Sequence, residues 1–417
     1  MRIENLRSDK NGNLARVTAT VIWEDCDRPT QEIYFETTEA FAQGLSCNPH
    51  TFLLACIMPA MHHGESRISI DAEICPELRN GLITAMSWIR QWYGSERKLV
   101  QIEAKIQSRP PMPPASERAG SFFSGGIDSL AALRANRLDF PLEHPRSIKD
   151  GLLIYGLEMQ DPKFFKQLVN SLSHIALDAG ISLIPVYTNI RDFLGRDWSF
   201  WGTEIQGAVL AGVAHAFSRR LTTVTIPSSF DIAHLYPFGS HPLLDPNYSS
   251  SDLQIQHGSI LLTRLDKTKL VADWDVALQN LKVCNRISLI KSDALNCGEC
   301  EKCVRTMTAL LALGVLDKTR AFPKADVSEE LLLEKAYIKD PPYAESCYWE
   351  LMAPLAAKGR YDLVRGIERL IERYHKGGKL RQRKEKLKQV ERKFFKGKLF
   401  KLYQAVARNS VSVVLNQ

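Results

Sequence analysis

Several short runs in the first hundred residues carry apolar side chains at nearly every second position. Ala15–Trp23 and Gln31–Glu36 are rich in β-branched and aromatic residues and read as strands. The polar stretch Glu24–Pro29 between them predicts a hairpin turn. Asn48–His62 is mostly apolar and predicts a packed helix, while Arg67–Asp71 and Lys98–Glu103 predict strands on either side of a helix over Asn80–Tyr93. Together these elements predict an α+β accessory domain over residues 1–107. Ser108–Ser116 then places four prolines in nine residues, which excludes helix and central strand and marks 108–118 as a linker.

From Ala119 to about Gly314 the pattern changes to strands alternating with helices, the signature of a parallel α/β sheet. Strands are expected to end at Phe122–Phe123 and to cover Gly151–Leu157, Ile181–Tyr187 and Thr222–Ile226. Helices are expected over Pro162–Ala179 and Thr203–Arg219. Ligands of such sheets bind at the carboxyl ends of the strands, which gathers the turn after Phe123, Gly156–Met159 and Pro227–Asp231 around one site. Ser228–Asp252 reads as a loop facing a substrate. Beyond Gly314 the chain predicts helices over Val327–Tyr337 and Tyr361–Tyr374, a break at Asp340–Tyr343, and a hinge at Gly377–Gly378. The expected domains are 119–324 and a helical extension over 325–417.

The turn Ser124-Gly-Gly-Ile-Asp-Ser129 carries the first chemical signal. Small residues between a buried strand and a helix leave backbone N–H groups aimed at one point, with the positive end of the helix dipole behind them. Gly125 and Gly126 are expected to adopt positive φ and let the backbone approach an anion. The chain has neither a G-x-x-x-x-G-K-[ST] loop nor a G-x-G-x-x-G loop after a strand. An ordinary capped strand–turn–helix is the alternative reading. The second signal is Cys284 with Cys297-Gly-Glu-Cys300-Glu-Lys-Cys303. Four soft thiolates at this spacing suit a closed, structural tetrahedral zinc site, or an iron–sulfur cluster. Cys47, His62 and His63 lack ligand spacing and read as structural.

The Ser-Gly-Gly-x-Asp-Ser turn resembles the PP-loop of the ATP pyrophosphatase (adenine nucleotide α-hydrolase-like) superfamily. Combined with the Cys-Gly-x-Cys-x-x-Cys run, it resembles the QueC-like (7-cyano-7-deazaguanine synthase-like) branch, including the Qat type found in anti-phage defence. The likeness covers roughly Ala119–Gly314. The first cysteine lies further from the other three than in the deazaguanine enzymes, and residues 1–107 and 325–417 have no counterpart there.

The resemblance implies a HUP-type parallel sheet with helices on both faces, with ATP, Mg²⁺ and Zn²⁺ as cofactors. ATP would lie over Ser124, Gly125, Gly126, Ile127, Asp128 and Ser129, near Gly156, Leu157 and Glu158. Asp128 is the carboxylate nearest to hold Mg²⁺, or else only a helix cap. Arg264 and Lys267, in a basic turn before a helix, would neutralise pyrophosphate. A carboxylate or amide oxygen of a small molecule or protein would attack the α-phosphorus, and an amine or ammonia would then give an amide, with a nitrile after a second round. Two alternatives stand beside this: a PP-loop enzyme that inserts sulfur into tRNA, and a nucleotide-binding scaffold without turnover.

Composition narrows the setting. With 45% hydrophobic and 24% charged residues the chain is of globular type, without a run of 18 apolar residues and without a signal peptide at its start. Nine cysteines then read as reduced thiols or metal ligands, and a cytoplasmic location is expected. The net charge is +7, but Lys376–Arg408 alone carries 13 basic residues against two acidic ones, a balance of +11, so the rest of the chain carries −4. Lys379–Val406 reads as a basic amphipathic helix for nucleic acid, anionic lipid or an acidic protein, or as a solvated helix packed on its own domain. Protein partners are expected through this helix or through residues 1–107.

Overall fold

The computed structural model describes residues 1–108, 117–195, 200–290, 294–338, 343 and 347–377. Most of the proline-rich linker and the stretch Lys379–Val406, expected as a basic helix, lie outside the described residues. Among the described residues ten strands form one mixed sheet. In chain order the strands are β1 (Arg2–Asn11), β2 (Leu14–Ile22), β3 (Gln31–Thr38), β4 (Arg67–Ile74), β5 (Gln101–Ile106), β6 (Ala119–Phe122), β7 (Ile148–Tyr155), β8 (Ser182–Thr188), β9 (Thr223–Pro227) and β10 (Gln254–Gly258). Their order across the sheet is β10-β9-β6-β7-β8-β3-β2-β1-β4-β5.

The five strands from β10 to β8 pair in parallel, as the alternation after Ala119 predicts. The expected hairpin is also present, with β2 and β3 antiparallel. The amino-terminal strands do not form a sheet of their own, however. Phe35 to Thr37 of β3 pair antiparallel with Val186 to Thr188 of β8, so residues 1–107 extend the parallel part of the sheet. The hydroxyl of Thr37 adds a 2.8 Å hydrogen bond to the Pro185 carbonyl across the same seam. One hydrophobic core spans both regions, joining Ile33, Phe35 and Phe52 to Phe122, Leu152 and Ile184.

The helices are α1 (Pro49–His63), α2 (Pro76–Tyr93), α3 (Ile127–Asp139), α4 (Pro162–Asp178), α5 (Ile190–Leu194), α6 (Gln206–Ala216), α7 (Arg264–Ala272), α8 (Asp275–Asn280), α9 (Glu301–Leu313) and α10 (Glu329–Lys335). Two further helices are Met352–Ala357 and 361–377. Period-two alternation along the central strands sends neighbouring side chains to opposite faces. Phe122 and Leu152 join the core that includes α1 and α6, whereas Phe123 and Leu153 join the core of α3, α4, α7, α8 and α9. Helices therefore cover both faces of the parallel region. No described helix is long and apolar enough to cross a membrane.

Local chemistry sets the ends of the helices that matter for the site. The side chain of Asp161 caps α4 by accepting from the Phe164 amide at 2.8 Å. Thr263 and Asp266 form a reciprocal capping box at the start of α7. At the amino ends of the parallel strands, the fully buried Asp150 is gripped by the guanidinium groups of Arg118 and Arg220. That ion cluster closes the end of the sheet opposite the cavity.

Candidate active site and candidate metal centre

At the carboxyl end of β6 the chain turns through Phe123–Gly126 into α3. Gly125 has φ +77°, and a Cβ there would stand 2.7 Å from Leu172, so the turn needs glycine. Gly126 differs from the expectation of positive φ: it is the helix N-cap, with an extended φ of −82°. Its amide lies 3.4 Å from the Ser124 hydroxyl. The Ser129 hydroxyl donates back to the Gly126 carbonyl at 3.0 Å. Among the described residues, no carbonyl accepts from the amides of Ile127, Asp128 or Ser129. These are the orphan donors of a helix start, and they border a cavity of about 290 Å³.

The cavity lies where the strand ends converge. Ser124, Gly126, Ile127, Asp128 and Ser129 line it, as do Leu157, Glu158 and Met159 after β7 and Pro227–Phe230 after β9. Gly156 supports this wall from behind. At φ +98° its missing Cβ would stand 1.7 Å from the Thr188 carbonyl oxygen, while its amide donates to the Met159 carbonyl at 2.7 Å.

Asp128, Arg264 and Lys267, far apart in sequence, meet where α3 packs on α7. Arg264 Nη1 lies 2.9 Å from Asp128 Oδ1, and Lys267 Nζ lies 3.5 Å from the same oxygen. Asp128 is not the helix cap, since the cap is Gly126; its carboxylate faces these two cations instead. Lys267 is fully buried and is not among the residues lining the cavity. Its ammonium donates to the Ser228 carbonyl at 2.6 Å. Burial pushes its pKa down, and the Asp128 carboxylate opposes that shift. In this arrangement Lys267 ties α7 to the loop after β9. Arg264 does reach the cavity, and it also donates to the Ser229 carbonyl at 2.7 Å.

Other cations on the cavity wall went unread in the sequence. Lys282, Lys302 and Arg305 line it together with Thr306 and Cys347. The Lys282 amide donates to the Gly125 carbonyl at 2.8 Å, joining this wall to the Ser124–Ser129 turn. Burial lowers the Lys282 pKa, with Glu158 opposing and Lys302 adding to the shift. Arg305 Nη1 sits 3.7 Å from the Cys347 sulfur and donates to the Tyr343 hydroxyl. The available clue was the interleaving of Lys282, Lys302 and Arg305 with the cysteine motif.

The four cysteines are buried together, with all sulfurs within 4.8 Å of one another. Cys284–Cys297 and Cys300–Cys303 are each 3.5 Å apart, Cys284–Cys300 3.7 Å and Cys297–Cys303 3.8 Å. Four thiolates about 2.3 Å from one zinc ion would stand roughly 3.8 Å apart at the corners of a tetrahedron. An iron–sulfur cluster interposes several atoms and would spread the sulfurs further. Backbone amides of Arg286, Glu299 and Cys300 point at the sulfurs from 3.3, 3.4 and 3.2 Å, as they do around thiolates. The group could hold a metal ion such as zinc. Cys300 caps α9 and Cys303 lies in its first turn, so the same knot that would hold the ion fixes Lys302 and Arg305 in the wall.

The far side of the cavity is aromatic. Phe230, Tyr236 and Phe238 contact one another with ring centroids 4.8 to 6.2 Å apart, and all three line the cavity. Trp201, in a π-helical turn before α6, joins them. His241 and His257 complete that end. No family model, curated protein or solved structure matches this chain.

Proposed function

We propose that the protein is an ATP-dependent adenylating enzyme of PP-loop, QueC-like type, built on a HUP-type sheet. A triphosphate would accept from the amides of Ile127, Asp128 and Ser129 and from the Ser124 hydroxyl, and from the Ser129 hydroxyl once it turns away from the Gly126 carbonyl. The observation that carries this reading is a set of unpaired helix-start amides opening on a cavity whose adjoining wall bears Lys282, Lys302 and Arg305. Those cations balance the charge of the phosphates. Mg²⁺, when bound, supplies further charge neutralisation at the phosphates. A carboxylate or amide oxygen, on a 7-deazaguanine-type small molecule or on a protein, attacks the α-phosphorus, releasing pyrophosphate. The adenylate is then opened by an amine or ammonia, with positioning and electrostatics supplying the catalysis. Zinc in the cysteine knot is structural, because four thiolates leave no open position.

The test is incubation with MgATP and candidate carboxylates, with nucleotide products separated. AMP and pyrophosphate support adenylation. ADP as the product sinks it.

One observation favours a second reading, sulfur transfer to tRNA: the Cys347 thiol lies on the cavity wall beside Arg305. Cys347→Ser abolishes turnover if sulfur passes through that residue, and leaves AMP formation intact if it does not.

A further inference from the structure

The aromatic end of the cavity holds a histidine and carboxylate pair that the phosphate-type turn does not use. His257, next to last in β10, has a side chain only 3% exposed, and its Nδ1 lies 2.7 Å from Oδ2 of the fully buried Asp245. The carboxylate is fixed from several sides. The Ser240 hydroxyl donates to Oδ2 at 2.7 Å, and the His241 amide approaches Oδ1 at 3.4 Å. Gly207 leaves room for it, because a Cβ there would fall 2.1 Å from Asp245 Oδ1. A carboxylate on Nδ1 fixes the imidazole tautomer with its proton on that nitrogen and leaves Nε2 as a bare acceptor. His257 Nε2 is buried with no partner, and His257 lines the cavity. An unsatisfied buried acceptor of this kind costs stability unless a ligand supplies the donor.

β10 lies two strands from β6, roughly 10 Å at about 4.8 Å per strand, on the carboxyl side of the parallel sheet. The turn and His257 line the same cavity. Resting on the adenylation reading, we infer that His257, oriented by Asp245, is the proton acceptor for the second substrate, a primary amine or ammonia. The amine nitrogen attacks the acyl carbon of the adenylate, the C–N bond forms, and the C–O bond to AMP breaks with AMP leaving as its anion. The proton lost by nitrogen passes to His257 Nε2, where Asp245 stabilises the imidazolium, and then returns to water. No oxidant or reductant takes part. His257 is a catalytic residue in this step and Asp245 its positioning residue.

The experiment uses the full chain labelled with ¹⁵N-histidine, with His257 resonances assigned by their loss in His257→Gln. Wild type is expected to show the proton on Nδ1 and a bare Nε2 at neutral pH. Asp245→Asn is expected to move the proton to Nε2, the tautomer change such a substitution produces. Methylamine serves as the probe for the amine. Titrated in the presence of MgATP, it is expected to shift Nε2 of His257 saturably in wild type and not in Asp245→Asn. His257→Gln should bind ATP within about twofold of wild type, since it lies outside the phosphate contacts. A wild-type His257 protonated on Nε2, or an Nε2 indifferent to methylamine, overturns the inference without needing any variant to fold. Failure of wild type to bind ATP refutes the adenylation reading instead, and the tautomer result distinguishes the two failures.

Discussion

Asp128→Asn is the sharpest perturbation of the site, because it removes a charge and little volume. In the folded protein the carboxylate sits 3.5 Å from Lys267 Nζ, and that lysine is fully buried. At an effective dielectric of about 20, a pair at this distance is worth roughly 5 kcal/mol. The Asp128 side chain is 27% exposed and shares its charge with Arg264, so solvent screening brings the coupling down to about 2 kcal/mol. A double-mutant cycle with Lys267→Met measures it through urea midpoints at constant slope. Asp128→Asn alone should destabilise by about 2–3 kcal/mol, because it leaves a buried ammonium with the Ser228 carbonyl and the weaker pull of Asp231. In the Lys267→Met background the same change should cost under about 1 kcal/mol.

The pH dependence has a fixed sign. The folded pKa of Lys267 is lowered, so between it and the unfolded value the unfolded chain binds more protons and stability rises with pH. Losing Asp128 lowers the folded pKa further. The deficit of Asp128→Asn relative to wild type should therefore shrink from neutral pH toward pH 10. Coupling within about 0.5 kcal/mol of zero, or a deficit that widens with pH, refutes the view that Asp128 is chiefly the counter-charge of Lys267.

Further expectations concern acid stability and the metal. His50 is buried against His215 with ring centroids 5.3 Å apart, and burial together with His215 pushes its pKa down to about 3. His215 is lowered too, mainly by burial. A histidine held neutral in the fold contributes stability above its unfolded pKa and loses it as pH falls below about 6.5. His50 alone should therefore remove about 2 kcal/mol between pH 7 and pH 5. Unfolding midpoints across that range should show the slope, and His50→Gln should flatten it; an unchanged slope would refute the assignment. One zinc per chain is expected by elemental analysis. Cys297→Ser should release it and weaken ATP binding at least about tenfold, because the knot sets Lys302 and Arg305. Full ATP affinity in a metal-free protein would show that the wall stands without the ion.

The sequence was most readable where one face of an element is buried and the other wet. The β2–β3 hairpin, α2 and the parallel strands β7–β9 all appear near their expected bounds, since alternating or helical spacing of large apolar residues marks them. β1 and β10 were missed for the complementary reason. Arg2–Asn11 offers Ile3 and Leu6 among charged residues, and Gln254–Gly258 offers Ile255 alone, so their pairing is decided by neighbours distant in the chain. The turn at Ser124–Ser129 and the cysteine group were legible because their chemistry lies in short contiguous runs. The role of Lys267 was not: expected in a turn before a helix, it lies inside α7, and a lysine there reads the same in sequence whether it faces a ligand or a buried carbonyl. Asp245 and His257 come from a polar loop and a polar strand, and only the fold makes them neighbours.

The antiparallel seam between β3 and β8 bears on how the molecule can be dissected. A fragment beginning near Arg118 would retain the turn, the cysteine knot and the cavity, yet it would bare the row of β8 amides and carbonyls that Phe35, Glu36 and Thr37 now satisfy. Ile184 and Val186 would lose the core they share with Ile33 and Phe52. Such an uncovered strand is a template for intermolecular pairing, so excising the half that holds the cavity yields a self-associating chain.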